Sequence, residues 1–213
     1  MLLYLARHAR TASSAVDAYN GRRELPLTAE GREMAKALGK RLSTVNFAAV
    51  YRSPLGRTGE TAALVAPGID AQILDGLTEI DYGNWEGLSS AEARAKNPVL
   101  FDSWIAEPDE FAPPGGETIA QVAARALEAL EIVLERHEHD PLPVLAISHK
   151  ATLRALGAAF TGAPLAGYRT CWAQDECALN LVEIRAGKPA FLRLWNDTAH
   201  LGGDPAVSTR GGH

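Results

Sequence analysis

Two histidines and two arginines are the residues of this sequence best suited to do chemistry: Arg7 and His8 near the start, Arg57, and His149. An arginine presents a planar fork of donors that suits phosphate or carboxylate oxygens. A neutral imidazole titrates near ~6.5 and can attack as a nucleophile at neutral pH. Flanking arginines disfavour the imidazolium and help keep the ring neutral. These four side chains together would make an anion site with a nucleophile inside it. A leaving group then needs a proton. Glu79, in a polar and aromatic loop, is the best carboxylate candidate for that general acid. In that role it must be protonated, which needs burial or a nearby negative charge such as a substrate phosphate.

The elements that would gather these residues are apolar runs with a shared ending. Leu2-Leu3-Tyr4-Leu5-Ala6 stops at Arg7-His8, Val144-Leu145-Ala146-Ile147 stops at Ser148-His149, and Ala48-Ala49-Val50-Tyr51 stops at Arg52-Ser53-Pro54 with Arg57 close behind. Apolar runs without polar alternation read as strands buried on both faces, the mark of a parallel sheet. In open α/β sheets ligands sit beyond the carboxyl ends of the strands. Three strands that each deliver His or Arg at that end predict one site.

The 213 residues suit a single domain over 1–213, with a polar, glycine-rich tail from about residue 197. A hydrophobic share of 46% is enough for a sizeable core. No apolar run has transmembrane length, and residues 2–6 are too short for a signal peptide, so a cytoplasmic location and no membrane partner are expected. A net charge of −5 gives no reason to expect nucleic acid. Cys171 and Cys177 do not make a disulfide framework and are expected as reduced thiols. Residues 12–24 read as a loop with a turn at Gly21. A helix starts behind Thr28, a good N-cap, with Glu30 in its first turn. A second helix is expected over 56–66, a weak strand over 69–77, a short helix over 88–96 and irregular chain over 98–111. Thr118 and Gln121 form a capping-box pattern before a long amphipathic helix that ends ahead of Pro141. A helix over roughly 151–160 and a strand pair over 177–184 and 190–195 follow, the pair antiparallel and at a sheet edge. Strands alternating with helices predict an α/β fold, a three-layer α/β/α sandwich on a mostly parallel mixed sheet.

The chain resembles the histidine phosphatase superfamily, the phosphoglycerate-mutase-like proteins. The family's Arg-His-Gly-x-Thr motif appears as Arg7-His8-Ala9-Arg10-Thr11. Asn20-Gly21 and Pro26-Leu27-Thr28-Ala29-Glu30-Gly31 match its loop and helix start. Ser53-Pro54-Leu55-Gly56-Arg57 with Thr61-Ala62 matches the next motif, and Glu79 through Gly83-Asn84-Trp85-Glu86-Gly87 the acid loop. Pro114-Gly115-Gly116-Glu117-Thr118 and Ser148-His149 complete the set, in order, over residues 2 to about 160. The resemblance implies a phosphoric monoester hydrolase. His8 would be the nucleophile and pass through a phosphohistidine. Arg7, Arg57 and His149 would hold the phosphoryl oxygens, Glu79 would be the proton donor, and Asn20 a further phosphate contact. It implies a small phosphorylated substrate, no metal and no cofactor. A cofactor-dependent phosphoglycerate mutase stands as an alternative within the family, and a catalytically weak phospho-ligand binding protein as one outside it. The compact stretch after the acid loop favours hydrolysis. Oligomeric state is left open.

The sequence departs from the pattern at Ala9 and Lys150, where the family has glycine, and at Arg10, where an acidic or amide residue is common. Alanine at 9 matters only if the backbone there needs positive φ or a close approach to phosphate. Arg10, Arg22, Arg23 or Lys150 could contact a second anionic group on the substrate or could be solvated surface charges. Trp85 is expected either as a substrate contact or as packing at the loop base. His137 and His139 are expected to be solvated at a helix end.

Overall fold

The computed structural model describes residues 1–12, 18–185 and 187–202. Its strands are β1 (Leu2–Arg7), β2 (Ala49–Arg52), β3 (Gln72–Ile73), β4 (Val144–Ser148), β5 (Leu179–Glu183) and β6 (Phe191–Asp197). They form one sheet in the order β3-β2-β4-β1-β5-β6. β4 runs parallel to β1 and to β2, and β3 parallel to β2. β5 is antiparallel to both β1 and β6. The register sets Arg7 opposite Ser148 and Arg52 opposite Ile147. The carboxyl ends of the three chemistry-bearing strands therefore lie side by side at one end of the sheet.

The helices are α1 (Ala29–Leu42), α2 (Gly56–Val65), α3 (Ser90–Lys96), α4 (Pro98–Ala106), α5 (Ile119–His137) and α6 (Lys150–Thr161). Successive strand residues face opposite sides of a sheet, and β4 shows the consequence. Leu145 and Ile147 pack with Ala35, Leu38 and Leu42 of α1 and Ala62 and Val65 of α2. Val144 and Ala146 pack with Ala126, Leu130 and Val133 of α5 and Leu153 and Leu156 of α6. Both faces are covered, which is why these strands carry no polar alternation and why the layers are α/β/α. No helix of the described residues is long and apolar enough to cross a membrane.

Local chemistry accounts for the helix starts. Thr28 Oγ1 accepts from Gly31 N at 2.9 Å. The capping box at Thr118 and Gln121 is closed in both directions, at 3.2 and 2.9 Å. Three expectations need correction. Within the stretch 69–77 only Gln72 and Ile73 pair, at the sheet edge, and a 3-10 turn follows at Asp75–Leu77. The stretch 98–111, expected to be irregular, begins with α4: Asn97 Oδ1 caps Leu100 N at 3.1 Å and Pro98 fills the first turn, where a missing N–H is harmless. His137 is not solvated. It lies between Tyr51 Oη at 3.0 Å and Asp140 Oδ2 at 2.6 Å. Strand β6 and the turn Ala199–Leu201 carry regular structure past residue 197, with Leu201 packed on the α1 side of the core. The rest of the expected tail, 203–213, lies outside the described residues, as do 13–17 of the expected loop.

Candidate active site

His8 follows directly on β1, and its N–H continues the ladder to Ser148 O at 2.9 Å. Its ring is buried. Nδ1 lies 2.8 Å from the carbonyl of Ala9. A carbonyl only accepts, so Nδ1 carries the proton and Nε2 keeps its lone pair. Burial, then the charges of Arg57 and Arg7, hold the ring's pKa well below the ordinary histidine value. His8 is thus a neutral imidazole with one fixed tautomer.

His149 caps β4 and precedes α6, and its ring centroid is 5.1 Å from that of His8. Arg57 Nε, which can only donate, reaches His149 Nδ1 at 3.2 Å. His149 Nε2 therefore carries the proton toward Ser53 Oγ at 2.6 Å. Burial and the charge of Arg57 keep this ring neutral as well.

Arg57 is held by backbone carbonyls: Nη1 donates to Arg23 O at 2.8 Å and Nη2 to Gly21 O at 2.7 Å. Gly21 itself is required by a different neighbour, since a Cβ there would come within 2.0 Å of Ile80 O. Three of the five guanidinium N–H donors are spent, and two remain for a ligand. Arg7 spends one on Gln174 O at 2.8 Å, and its buried Nε has no partner. Among the described residues neither arginine pairs with a carboxylate.

Glu79 is buried against the first turn of α6. Its Oε1 accepts from Ile80 N at 3.0 Å and Thr152 N at 3.2 Å, and its Oε2 from Ala151 N at 3.2 Å. The amides at a helix start and the axial dipole suit a carboxylate there. The loop that carries it is tied from behind. Arg125 donates to Gly76 O, Thr78 O and Glu79 O, at 2.8, 2.7 and 3.2 Å, and also grips Glu117. Glu117 Oε2 in turn accepts from Asp81 N at 3.0 Å. The Pro-Gly-Gly-Glu-Thr motif therefore braces the Glu79 loop from outside the pocket.

Other sequence candidates fall differently. Of the two roles expected for Trp85, the structure takes packing over substrate contact: it is 1% exposed and packed among Tyr19, Phe101 and Trp104. Arg10 has its charge taken by Glu30 and by Glu176, the latter at 2.7 Å. Asn20 spends its amide within the loop, on Ala18 O at 3.0 Å and Arg23 Nη1 at 3.2 Å. Arg22 is paired with Asp81 and Glu117. Glu86 accepts from Arg22 N and Tyr82 N. Ala9 needs no glycine: among the described residues only Cys177 and Asn196 are non-glycine positions with positive φ. Its N–H goes to Thr61 Oγ1 at 3.0 Å and its side chain joins the core. Lys150 opens α6 beside the pocket, half-buried. Sequence reasoning missed Gln174, whose side-chain amide is buried without a partner, and Arg154, buried and also unpartnered at Nε. Arg154 had a signal: it is the one charge in the apolar stretch 151–160. Gln174 had none. Among the described residues no group of three His, Cys, Asp or Glu side chains is placed to hold a metal ion.

Comparison with known proteins bears on this arrangement. The chain is 32% identical over 202 residues to phosphoserine phosphatase 1 of Hydrogenobacter thermophilus, covering 94% of each. It is 30% identical over 203 residues to the adenosylcobalamin/alpha-ribazole phosphatase of Escherichia coli, covering 93% of this chain and 97% of that one. The solved structure of Bacillus stearothermophilus YhfR superposes with a TM-score of 0.86 at 34% identity, covering 94% of this chain and 98% of that one. The profile of the histidine phosphatase superfamily (branch 1) matches residues 3–198, a span that takes in both histidines, both unpaired arginines and the Glu79 loop. The chain belongs to that superfamily.

Proposed function

We propose that this chain hydrolyses phosphoric monoesters of small molecules through a phosphohistidine on His8. The observation that carries the reading is His8 itself: a buried, neutral imidazole whose Nδ1 proton is fixed on Ala9 O, leaving the Nε2 lone pair beside two arginines without carboxylate partners. Phosphatases among the relatives, named for phosphoserine and for alpha-ribazole, support the same chemistry.

Nε2 attacks phosphorus, and the bond from phosphorus to the ester oxygen breaks. Arg7 and Arg57 hold the non-bridging oxygens, where charge accumulates in the transition state, from a site that water does not screen. His149, expected to hold a phosphoryl oxygen, has its ring nitrogens engaged by Arg57 and Ser53, and so stands beside His8 as a neutral group that keeps Arg57 oriented. Glu79 gives its proton to the leaving oxygen. The dianionic phosphate brings the negative charge that favours a protonated carboxyl beside it. In the second half Glu79 takes a proton from water, the water oxygen attacks phosphorus, and the bond from phosphorus to nitrogen breaks with its electron pair returning to Nε2. The net products are the alcohol and inorganic phosphate. No step requires a metal.

The test is phosphate release from a panel of monoesters by wild type and by His8→Ala, with acid-labile label on the protein sought after brief mixing with a labelled monoester. Turnover and label in wild type, both lost in His8→Ala, are the expected result. Undiminished turnover in His8→Ala would overturn the mechanism. Phosphoryl transfer to a second hydroxyl in place of release would turn the reading to a mutase.

A further inference from the structure

We propose that Lys150 and Arg154, on one face of α6, form a second anion seat that takes a carboxylate borne by the leaving group. On this view the substrates are short phosphorylated hydroxy or amino acids. The inference rests on the hydrolase reading above and adds to it.

Residues 150 and 154 are four apart in α6. They lie on the same side, about 6 Å along the axis. Arg154 is 7% exposed, yet among the described residues it has neither a hydrogen bond nor an ion pair, and its Nε is a buried orphan. Among the described residues Lys150 also has no partner of either kind. Charges withdrawn from water without a counter-charge are expensive. Elsewhere this chain supplies one: Arg125 has Glu117, and Arg41 has Asp197 at 2.5 Å. Here it does not, and a third cation adds to the deficit. Arg169 donates from Nε to Tyr168 Oη at 2.8 Å, stacks on Trp104, and keeps both Nη atoms buried and unpartnered. The charges of Arg154 and Arg169 both act on Tyr168, so the two reach one neighbourhood.

This deficit borders the reacting groups. The fields of Arg7 and Glu79 reach both Arg154 and Lys150. Arg154 also feels Tyr168 and Tyr82. The first turn of α6, which holds Glu79 through Ala151 N and Thr152 N, is the turn that carries Lys150. The leaving oxygen must lie at Glu79 to receive its proton. A second anion about one helical turn away is therefore only a few bonds from the ester oxygen. A carboxylate two or three carbons away meets that spacing, and the guanidinium fork suits its planar oxygens. Burial and the charges of Arg154 and Arg7 lower the Lys150 ammonium to about 8, against the opposing pull of Glu79 and Asp175.

The experiment compares kcat/KM within matched pairs: O-phosphoserine against O-phosphoethanolamine, and 3-phosphoglycerate against glycerol 3-phosphate. Within each pair the first member carries the carboxylate. Wild type is expected to prefer it by about tenfold or more, and that ratio is expected to fall toward one in Arg154→Met and in Lys150→Met. Lys150→Arg is expected to keep it. In wild type the ratio falls as pH rises through about 8, and in Lys150→Arg it holds; a ratio flat from pH 7 to 9 would overturn the part given to Lys150. Because the readout is a ratio, a general loss of activity does not move it. Should Arg154→Met fail to fold, the Lys150 variants and the pH series decide. Wild-type ratios near one in both pairs, or a ratio unchanged in folded Arg154→Met, would overturn the seat while leaving the hydrolase standing. A preference seen only for fructose 1,6-bisphosphate over fructose 6-phosphate would assign the seat to phosphate and overturn the carboxylate. Release of phosphate from none of these compounds would bring down both readings.

Discussion

Two groups of basic side chains surround this pocket and differ in what they touch. Arg10, Arg22 and Arg125 each reach a carboxylate: Glu30 and Glu176, Asp81 and Glu117, and Glu117. Arg7, Arg57, Lys150 and Arg154 reach none among the described residues. Sequence position does not separate them, since Arg7 and Arg10 share one motif and Lys150 and Arg154 share a helix with no carboxylate on it. The separation lies in charge balance. A cation balanced by the chain holds the chain together, and one left unbalanced in a desolvated place is completed by a ligand.

That division is broken or sharpened first at Arg7. Arg7→Met is expected to lower kcat by about 10²–10³-fold, the loss of one strong donor to developing charge. Tm should be unchanged or higher, because a buried unbalanced charge is removed. Steady-state kinetics beside calorimetry checks both. A folded variant with wild-type kcat and a lowered Tm would place Arg7 with the structural group.

Arg125→Met is expected to show the opposite profile. It leaves Glu117 half-balanced and three loop carbonyls without their donor, at a cost of roughly 2 kcal/mol, discounted for partial exposure. For a chain of this size that lowers Tm by about 4–8 °C. A fall in kcat without a fall in Tm would overturn the bracing role.

The histidines give a pH test of the same pocket. The pKa values of His8 and His149 are lowered in the fold, chiefly by burial and then by Arg57. Below ~6.5 the unfolded chain takes up protons that the folded chain refuses, so stability falls as pH drops through that value, by at most about 1.4 kcal/mol per histidine per pH unit. Denaturant unfolding at pH 7.5 and 5.5 measures this. A slope that His8→Gln does not reduce would place its source elsewhere.

Much of the pocket floor was legible because its signals are local. Strands buried on both faces need unbroken apolar runs, and Arg7, Ser53 and His149 follow directly where those runs stop. The aromatic cluster behind the Glu79 loop was less legible. Trp85, Phe101 and Trp104 form a small buried cluster drawn from a polar, glycine-rich loop and from α4. A residue there is buried by partners far along the chain, so local pattern could not tell Trp85 the contact from Trp85 the core residue. α4 itself was readable from Asn97-Pro98, a cap followed by a first-turn proline, but the signal is short and was outweighed by the irregular composition around it. The pairing of Arg10 and the isolation of Arg154 depend on where carboxylates from other elements come to lie. No spacing in one segment encodes that.

The smallest expected effect tests the division from the other side. Arg22 lies beside the pocket, next to Gly21 whose carbonyl holds Arg57, and its side chain is 43% exposed. Proximity alone would make it a substrate contact. Its donors already face Asp81 at 3.3 Å and Glu117 at 3.1 Å, and the backbone N–H of Arg22, not its side chain, meets Glu86. An exposed pair of this kind contributes about 0–1 kcal/mol. Arg22→Ala is therefore expected to change Tm by no more than about 4 °C. It should leave the ratio of kcat/KM for O-phosphoserine to O-phosphoethanolamine within about twofold of wild type, a difference under ~0.5 kcal/mol. A tenfold fall in that ratio would mean that a carboxylate-paired arginine also serves the ligand, and charge balance would then no longer sort the cations of this pocket.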